Sequence, residues 1–184
     1  MLRFFTMTSL RYKRILRFLW LGGKVLALGL VLIFSLRFFV LAPGQVNGRS
    51  MEPAFFDEDY FVVEKITYLL RAPRRFEVVQ IVDPQENKYL IKRIVGLPGE
   101  TIVILQGNVW LEEGKGLIKI DDSIFTSTPS STFPYHLPQD KLYRLTLGPD
   151  EFFVLGDNRL HSSYDSRQFR GVSRSRIVGR VVKL

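Results

Sequence analysis

Cysteine is absent from the 184-residue chain, and histidine occurs only twice, at His136 and His161. The first absence excludes disulfides and thiolate metal sites. The second leaves a multi-histidine metal centre almost nothing to draw on, so neither a metal nor another cofactor is expected. Acidic residues are missing from residues 1–37, which carry seven basic groups: Arg3, Arg11, Lys13, Arg14, Arg17, Lys24 and Arg37. The other nineteen basic residues face all 18 acids, so the net charge of +8 belongs to the N-terminus. That distribution argues against a nucleic-acid partner, which calls for a basic patch on the globular part.

Long uncharged apolar runs are also scarce. Residues 25–36 form one, roughly 18 Å as a helix at 1.5 Å per residue, against a hydrocarbon core of ~30 Å. The longer stretch 19–42 becomes a span if Lys24 and Arg37 extend their ammonium and guanidinium groups to the two interfaces. The preceding basic cluster keeps residues 1–18 cytoplasmic and places residues 43–184 across the membrane. A cleaved signal peptide has a similar profile, but no Ala-x-Ala site follows, and Leu41-Ala42-Pro43 would put proline just after a cut. A buried core helix is the other alternative. The reading adopted is a retained single anchor over 19–42.

Beyond residue 42 the pattern is of short strands and turns. Strands are expected at 59–64, 76–82, within 89–100 ahead of a Pro-Gly turn, and at 101–105, 109–111, 142–147, 152–155 and 176–184, with Gln106-Gly107-Asn108 as a hairpin turn. Residues 114–140 are less regular. The fold class is mainly β.

Two features stand out. Tyr89-Leu90-Ile91-Lys92-Arg93-Ile94-Val95-Gly96-Leu97-Pro98-Gly99-Glu100 reads as a strand ending in a turn, with a lysine among apolar residues. Alternation puts Leu90, Lys92 and Ile94 on one face and Ile91, Arg93 and Val95 on the other. Lys92 is then either a solvated residue of an edge strand or a desolvated amine able to accept a proton. Ser50 lies in the turn-rich loop Pro43-Gly44-Gln45-Val46-Asn47-Gly48-Arg49-Ser50-Met51-Glu52-Pro53. A loop serine is most often a plain solvated hydroxyl. Glu52 reads as a solvated charge or a general base. Farther on, the turn Gly156-Asp157-Asn158-Arg159 is followed by Ser162, Ser163, Tyr164, Asp165, Ser166 and Arg167, where hydroxyls and an Asp/Arg pair crowd together.

In order and spacing these segments resemble bacterial type I signal peptidases. The match rests on Ser50-Met51-Glu52-Pro53, the Lys92-Arg93 stretch with its Gly96-Leu97-Pro98-Gly99, and Gly156-Asp157-Asn158-Arg159 with Asp165-Ser166-Arg167. The resemblance implies an antiparallel β catalytic domain behind one N-terminal transmembrane helix, in the bacterial plasma membrane or a thylakoid membrane. It implies Ser50 as nucleophile and Lys92 as general base of a Ser/Lys dyad. It implies Asp165 and Arg167 as a supporting ion pair, and a serine orienting the amine. Counting from Gly156 selects Ser162 and counting back from Asp165 selects Ser163, the preferred choice. Met51 and Leu90 map to the pocket for the −1 side chain and Ile91 to that for −3. Partners would be the signal peptides of exported preproteins, small at −1 and −3, and the lipid bilayer.

The sequence departs from the family pattern in places. Gly48 stands where some relatives carry a second oxyanion-binding serine, and Ala54 where threonine is usual. Three alternatives remain at this stage: a related inner-membrane peptidase with a narrower target, an inactive binding module of the same fold, and a serine hydrolase using His136 or His161 as base.

Overall fold

The computed structural model describes residues 2–105, 108–114, 116–120, 142–162 and 164–184. They fall into two units, Met1–Val40 and Leu41–Leu184.

The first unit is one helix, α1 (Leu2–Val40). No glycine or proline interrupts residues 2–21, so the helix continues back through the basic segment and does not begin at residue 19. It contains a stretch, Tyr12–Ser35, of 24 residues and mean hydropathy 2.0, about 36 Å long at 1.5 Å per residue and sufficient to cross a bilayer. The Lys24 ammonium lies 3.5 Å from the centroid of the Trp20 ring one turn earlier, a cation–π contact for the charge inside this stretch. Proline at position 43 forbids helix just beyond Val40. Leu41 and Ala42, assigned to the anchor from sequence, instead open the first strand.

The second unit has eleven strands among the described residues. They are β1 (Leu41–Gln45), β2 (Tyr60–Glu64), β3 (Val78–Val82), β4 (Tyr89–Gly96), β5 (Thr101–Leu105), β6 (Asn108–Glu113), β7 (Gly116–Lys119), β8 (Tyr143–Thr146), β9 (Glu151–Leu155), β10 (Val172–Ser173) and β11 (Ile177–Lys183). Two short helices, α2 (Thr67–Leu70) and α3 (Ser166–Phe169), complete it. Seven strands form one sheet in the order β1-β2-β11-β3-β4-β9-β10, and four form another in the order β7-β6-β5-β8. All the pairings are antiparallel. In the larger sheet β2 and β3 are not neighbours: β11 is inserted between them.

β4 and β9 are the inner strands that place the site. Ile94 of β4 and Phe152 and Val154 of β9 enter one apolar cluster with Val79, Ile81 and Ile177. Val95 of β4 and Phe153 and Leu155 of β9 enter a second with Ile102, Ile104, Val109 and Leu145. Both faces are therefore buried, which explains the unbroken Phe152-Phe153-Val154-Leu155 run. Gly96 is required where the two sheets approach, since a Cβ there would meet Ile102 Cδ1 and Phe153 Cβ at 2.8 Å. A third cluster of Val46, Met51, Phe55, Phe61, Val63 and Val181 lies beneath the β1–β2 connection.

The expected strand positions recur with small end shifts. β1 and β10 were not anticipated, and β7 falls in the segment read as irregular. Phe55 is buried in the core, whereas Phe56 is half exposed. Residues 121–141, with His136, and Ser163 lie outside the described residues.

Candidate active site

The β1–β2 connection carries Ser50. It is closed at its base by Val46 N–H donating to the Asp59 carbonyl (2.8 Å) and Glu58 N–H donating to that of Val46 (3.0 Å). Gly48, at φ +99°, donates its N–H to Asp57 Oδ1 (2.8 Å). That φ disfavours any residue with a side chain, so the glycine in place of serine serves the turn itself. Met51 and Phe55 turn inward to the core, leaving the Ser50 hydroxyl on the outer side of the turn.

Facing it is Lys92 of β4, only 3% exposed. Its Nζ lies 3.0 Å from Ser50 Oγ. Lys92 sits opposite Val79 of β3, and Leu90 opposite Ile81, so the lysine shares its face with apolar residues and is not a solvated edge residue. Burial pushes its ammonium below the ordinary lysine value. The Asp165 carboxylate works against this, Arg167 adds to the depression, and Asp157 opposes it.

The Gly156-Asp157-Asn158-Arg159 turn, directly after β9, joins the two sides. Asp157 accepts from Arg93 Nε (2.8 Å) and Nη2 (2.5 Å), so it is tied to the residue next to Lys92. Burial pushes Asp157 up in spite of that partner. Asn158 N–H donates to the Ser50 carbonyl (3.0 Å), and its Nδ2 donates to Glu52 Oε2 (3.3 Å). Gly156 has no room for a side chain: a Cβ would meet Ser162 Oγ at 2.2 Å and the Ser50 carbonyl oxygen at 2.7 Å.

Behind Lys92 lies a buried polar cluster. Ser162, 1% exposed, donates its hydroxyl to Asp165 Oδ2 (2.7 Å). Arg167 pairs with Asp165 through Nε (2.8 Å) and Nη2 (2.8 Å), and Arg167 Nη2 also donates to the Ser162 carbonyl. Burial alone would raise Asp165, but Arg167, Lys92 and the Ser162 hydroxyl together hold it below the usual carboxylate range.

A groove of about 220 Å³ opens beside Ser50 and Lys92, with Leu90, Ile91, Gln80 and Phe61 among its lining residues. Leu90 and Ile91, mapped from sequence to the −1 and −3 pockets, both line this groove. Met51 is 1% exposed in the core below and is not among the lining residues. Glu52 is held by Arg49 (3.0 Å) and Asn158 (3.3 Å). His161 places Nδ1 3.1 Å from Asn158 Oδ1, so the group at the serine hydroxyl is an amine and not an imidazole. No group of three or more metal-ligating side chains occurs among the described residues.

Comparison with known proteins decides the family. Residues 19–184 match the family described as signal peptidase, peptidase S26. The chain belongs to that family. It is 34% identical to the probable signal peptidase I-2 of Synechocystis sp., over 88% of this chain and 71% of the relative. It is 31% identical to signal peptidase I V of Bacillus subtilis, over 89% and 95%, and 31% identical to signal peptidase I of Bacillus caldolyticus, over 95% and 92%. The enzyme is accordingly a serine endopeptidase of the signal-peptide-removing type, attached to a membrane. Two contacts were not foreseen from sequence, Arg93–Asp157 and Asn158–Glu52. Their only sequence signal was the proximity of Asp157-Asn158 to a strand end, since partners 64 and 106 residues away leave no local pattern.

Proposed function

We propose that this enzyme cuts exported preproteins after small residues at −1 and −3, using Ser50 as nucleophile and Lys92 as general base. The observation that carries the reading is a buried lysine amine 3.0 Å from a serine hydroxyl at the side of a groove. Lys92 in its neutral form takes the Ser50 proton as Oγ attacks the scissile carbonyl. The resulting ammonium protonates the departing amine, and Lys92 then activates the water that releases the acyl group. Ser50 N–H is one donor to the developing oxyanion. The substrate lies extended along the groove, where Leu90 and Ile91 restrict side-chain size. The N-terminus is cytoplasmic, and the catalytic unit acts on the other side of the bacterial plasma membrane or of a thylakoid membrane.

The test is cleavage of a preprotein with an Ala-x-Ala site by the full chain in lipid. Ser50→Ala and Lys92→Ala are each expected to fold and to lose cutting by at least 10³-fold, as for loss of a nucleophile or its base. His161→Ala is expected to cut at near the wild-type rate. Cutting by Lys92→Ala at a comparable rate would assign the base elsewhere.

The pH dependence follows from the same assignment. Because neutral Lys92 is the active form, kcat/KM rises with pH through the Lys92 pKa and then levels. Burial lowers that pKa, so the rise is expected to finish below the ~10.4 of a free lysine. A rise that continues to that value would rule Lys92 out as the base.

A further inference from the structure

We infer that Asn158 is a positioning residue for the nucleophile, acting through Glu52 and the Ser50 backbone. The inference rests on the Ser50/Lys92 reading. Ser50 and Lys92 come from separate elements, and their 3.0 Å separation has to be set by something that touches both. The Gly156–Asn158 segment does so with adjacent residues. Asp157 is fixed to Arg93, one residue from Lys92. Asn158 is fixed to the serine turn twice, by its N–H on the Ser50 carbonyl and by its side-chain amide on Glu52, two residues farther along.

The two contacts on the serine turn work together. A single backbone hydrogen bond leaves the turn free to rotate about it. The second point, at Glu52, removes that freedom and sets the direction of the Ser50 side chain. Glu52 is itself held from the other side by Arg49 Nε at 3.0 Å, so the carboxylate is a fixed point for the amide. Asn158 is 8% exposed, and its Oδ1 meets His161 on the outward side, where water can take the place of the imidazole. Asn158 meets the Ser50 carbonyl and Glu52, while Ser50 Oγ meets Lys92 Nζ, so the effect of Asn158 is on orientation and not on proton transfer. This also gives Glu52, read from sequence as a solvated charge or a base, a different role.

The experiment compares Asn158→Ala, Glu52→Ala and Glu52→Gln in the full chain, on the same preprotein, with melting temperatures alongside. An error of about 1 Å in a reacting group costs about 10²-fold, so Asn158→Ala is expected to lower kcat by 10- to 100-fold with KM within about twofold. Glu52→Ala should give a similar loss, and the double variant little more than either alone, because both remove one contact. Glu52→Gln keeps an oxygen for the Asn158 amide and should recover most of the loss. The pH at which kcat/KM rises should not move in any of them. The inference fails if kcat stays within twofold in Glu52→Ala, or if Asn158 and Glu52 effects multiply independently. If Asn158→Ala does not fold, Glu52→Ala decides alone. Loss of cutting in the Asn158 and Glu52 variants together with retained cutting in Lys92→Ala would instead overturn the dyad reading.

Discussion

Lys92→Met is expected to abolish cleavage and at the same time to raise thermal stability. The lysine is 3% exposed among apolar neighbours, and methionine fills a similar volume with no charge to desolvate. The sign follows from the net shift. Asp165 and Asp157 favour the ammonium, yet the group is pushed below its ordinary value, so burial outweighs them. A lysine with a folded pKa below its unfolded one binds more protons when unfolded, and stability rises with pH between the two values. The gain from methionine is therefore largest below the folded pKa and disappears as pH approaches ~10.4. Replacing buried charge by well-packed apolar residues stabilises by about 1–4 kcal/mol in favourable cases. At about 2–4 °C per kcal/mol, melting temperatures of the two proteins near neutral and near pH 10 check this. A variant less stable than wild type at neutral pH would show that the amine gains more from its carboxylates than burial takes away.

Asp165→Asn is expected to destabilise the fold by about 3–5 kcal/mol, the usual effect of stranding a buried charge. Asp165 is fully buried and accepts from the Arg167 guanidinium and N–H, from Ser162 and from Gly156 N–H. An amide turns one accepting oxygen into a donor facing other donors and leaves Arg167, 4% exposed, without its countercharge. Asp165 is held below its ordinary value. Its contribution is therefore fully present above the unfolded value of ~3.9 and is lost as pH falls through the lower folded value. Urea unfolding should show a wide gap between wild type and variant at neutral pH that narrows at strongly acidic pH. The folded fraction should also show its activity limb moved to lower pH, because Asp165 favours the charged form of Lys92. An unchanged limb would mean that Asp165 acts on Arg167 alone.

Much of the arrangement was legible because it is local. The strands around Lys92 and at residues 152–155 follow from β-branched and aromatic runs bounded by turns, and the hairpin between β5 and β6 from its turn residues. β1 was not legible, because Leu41-Ala42-Pro43-Gly44-Gln45 has neither β propensity nor alternation. It is a strand because β2 offers Glu64 to Tyr60 as a pairing edge. α2 and α3 have four residues each, too few to show a helical period. For the site, sequence offered Ser50 and Lys92 as candidates but not which of Ser162 and Ser163 orients the amine. Ser162 is buried and donates to Asp165 at 2.7 Å, while Ser163 lies outside the described residues. The tie between Asn158 and Glu52 depends on a turn meeting another turn, which no spacing rule encodes.

The place of β11 has a consequence for how the reactive pair is held together. Ser50 belongs to the β1–β2 half of the large sheet and Lys92 to the half made by β3, β4, β9 and β10. Among the described residues the two halves are hydrogen-bonded into one sheet through β11. Without β11 paired, the two reactive residues are joined by side-chain and turn contacts, Lys92 on Ser50 and Asn158 on the Ser50 carbonyl, and not by a strand ladder. The separation of Ser50 from Lys92 therefore depends on a strand that carries neither residue, since β11 pairs with β2 on one side and β3 on the other.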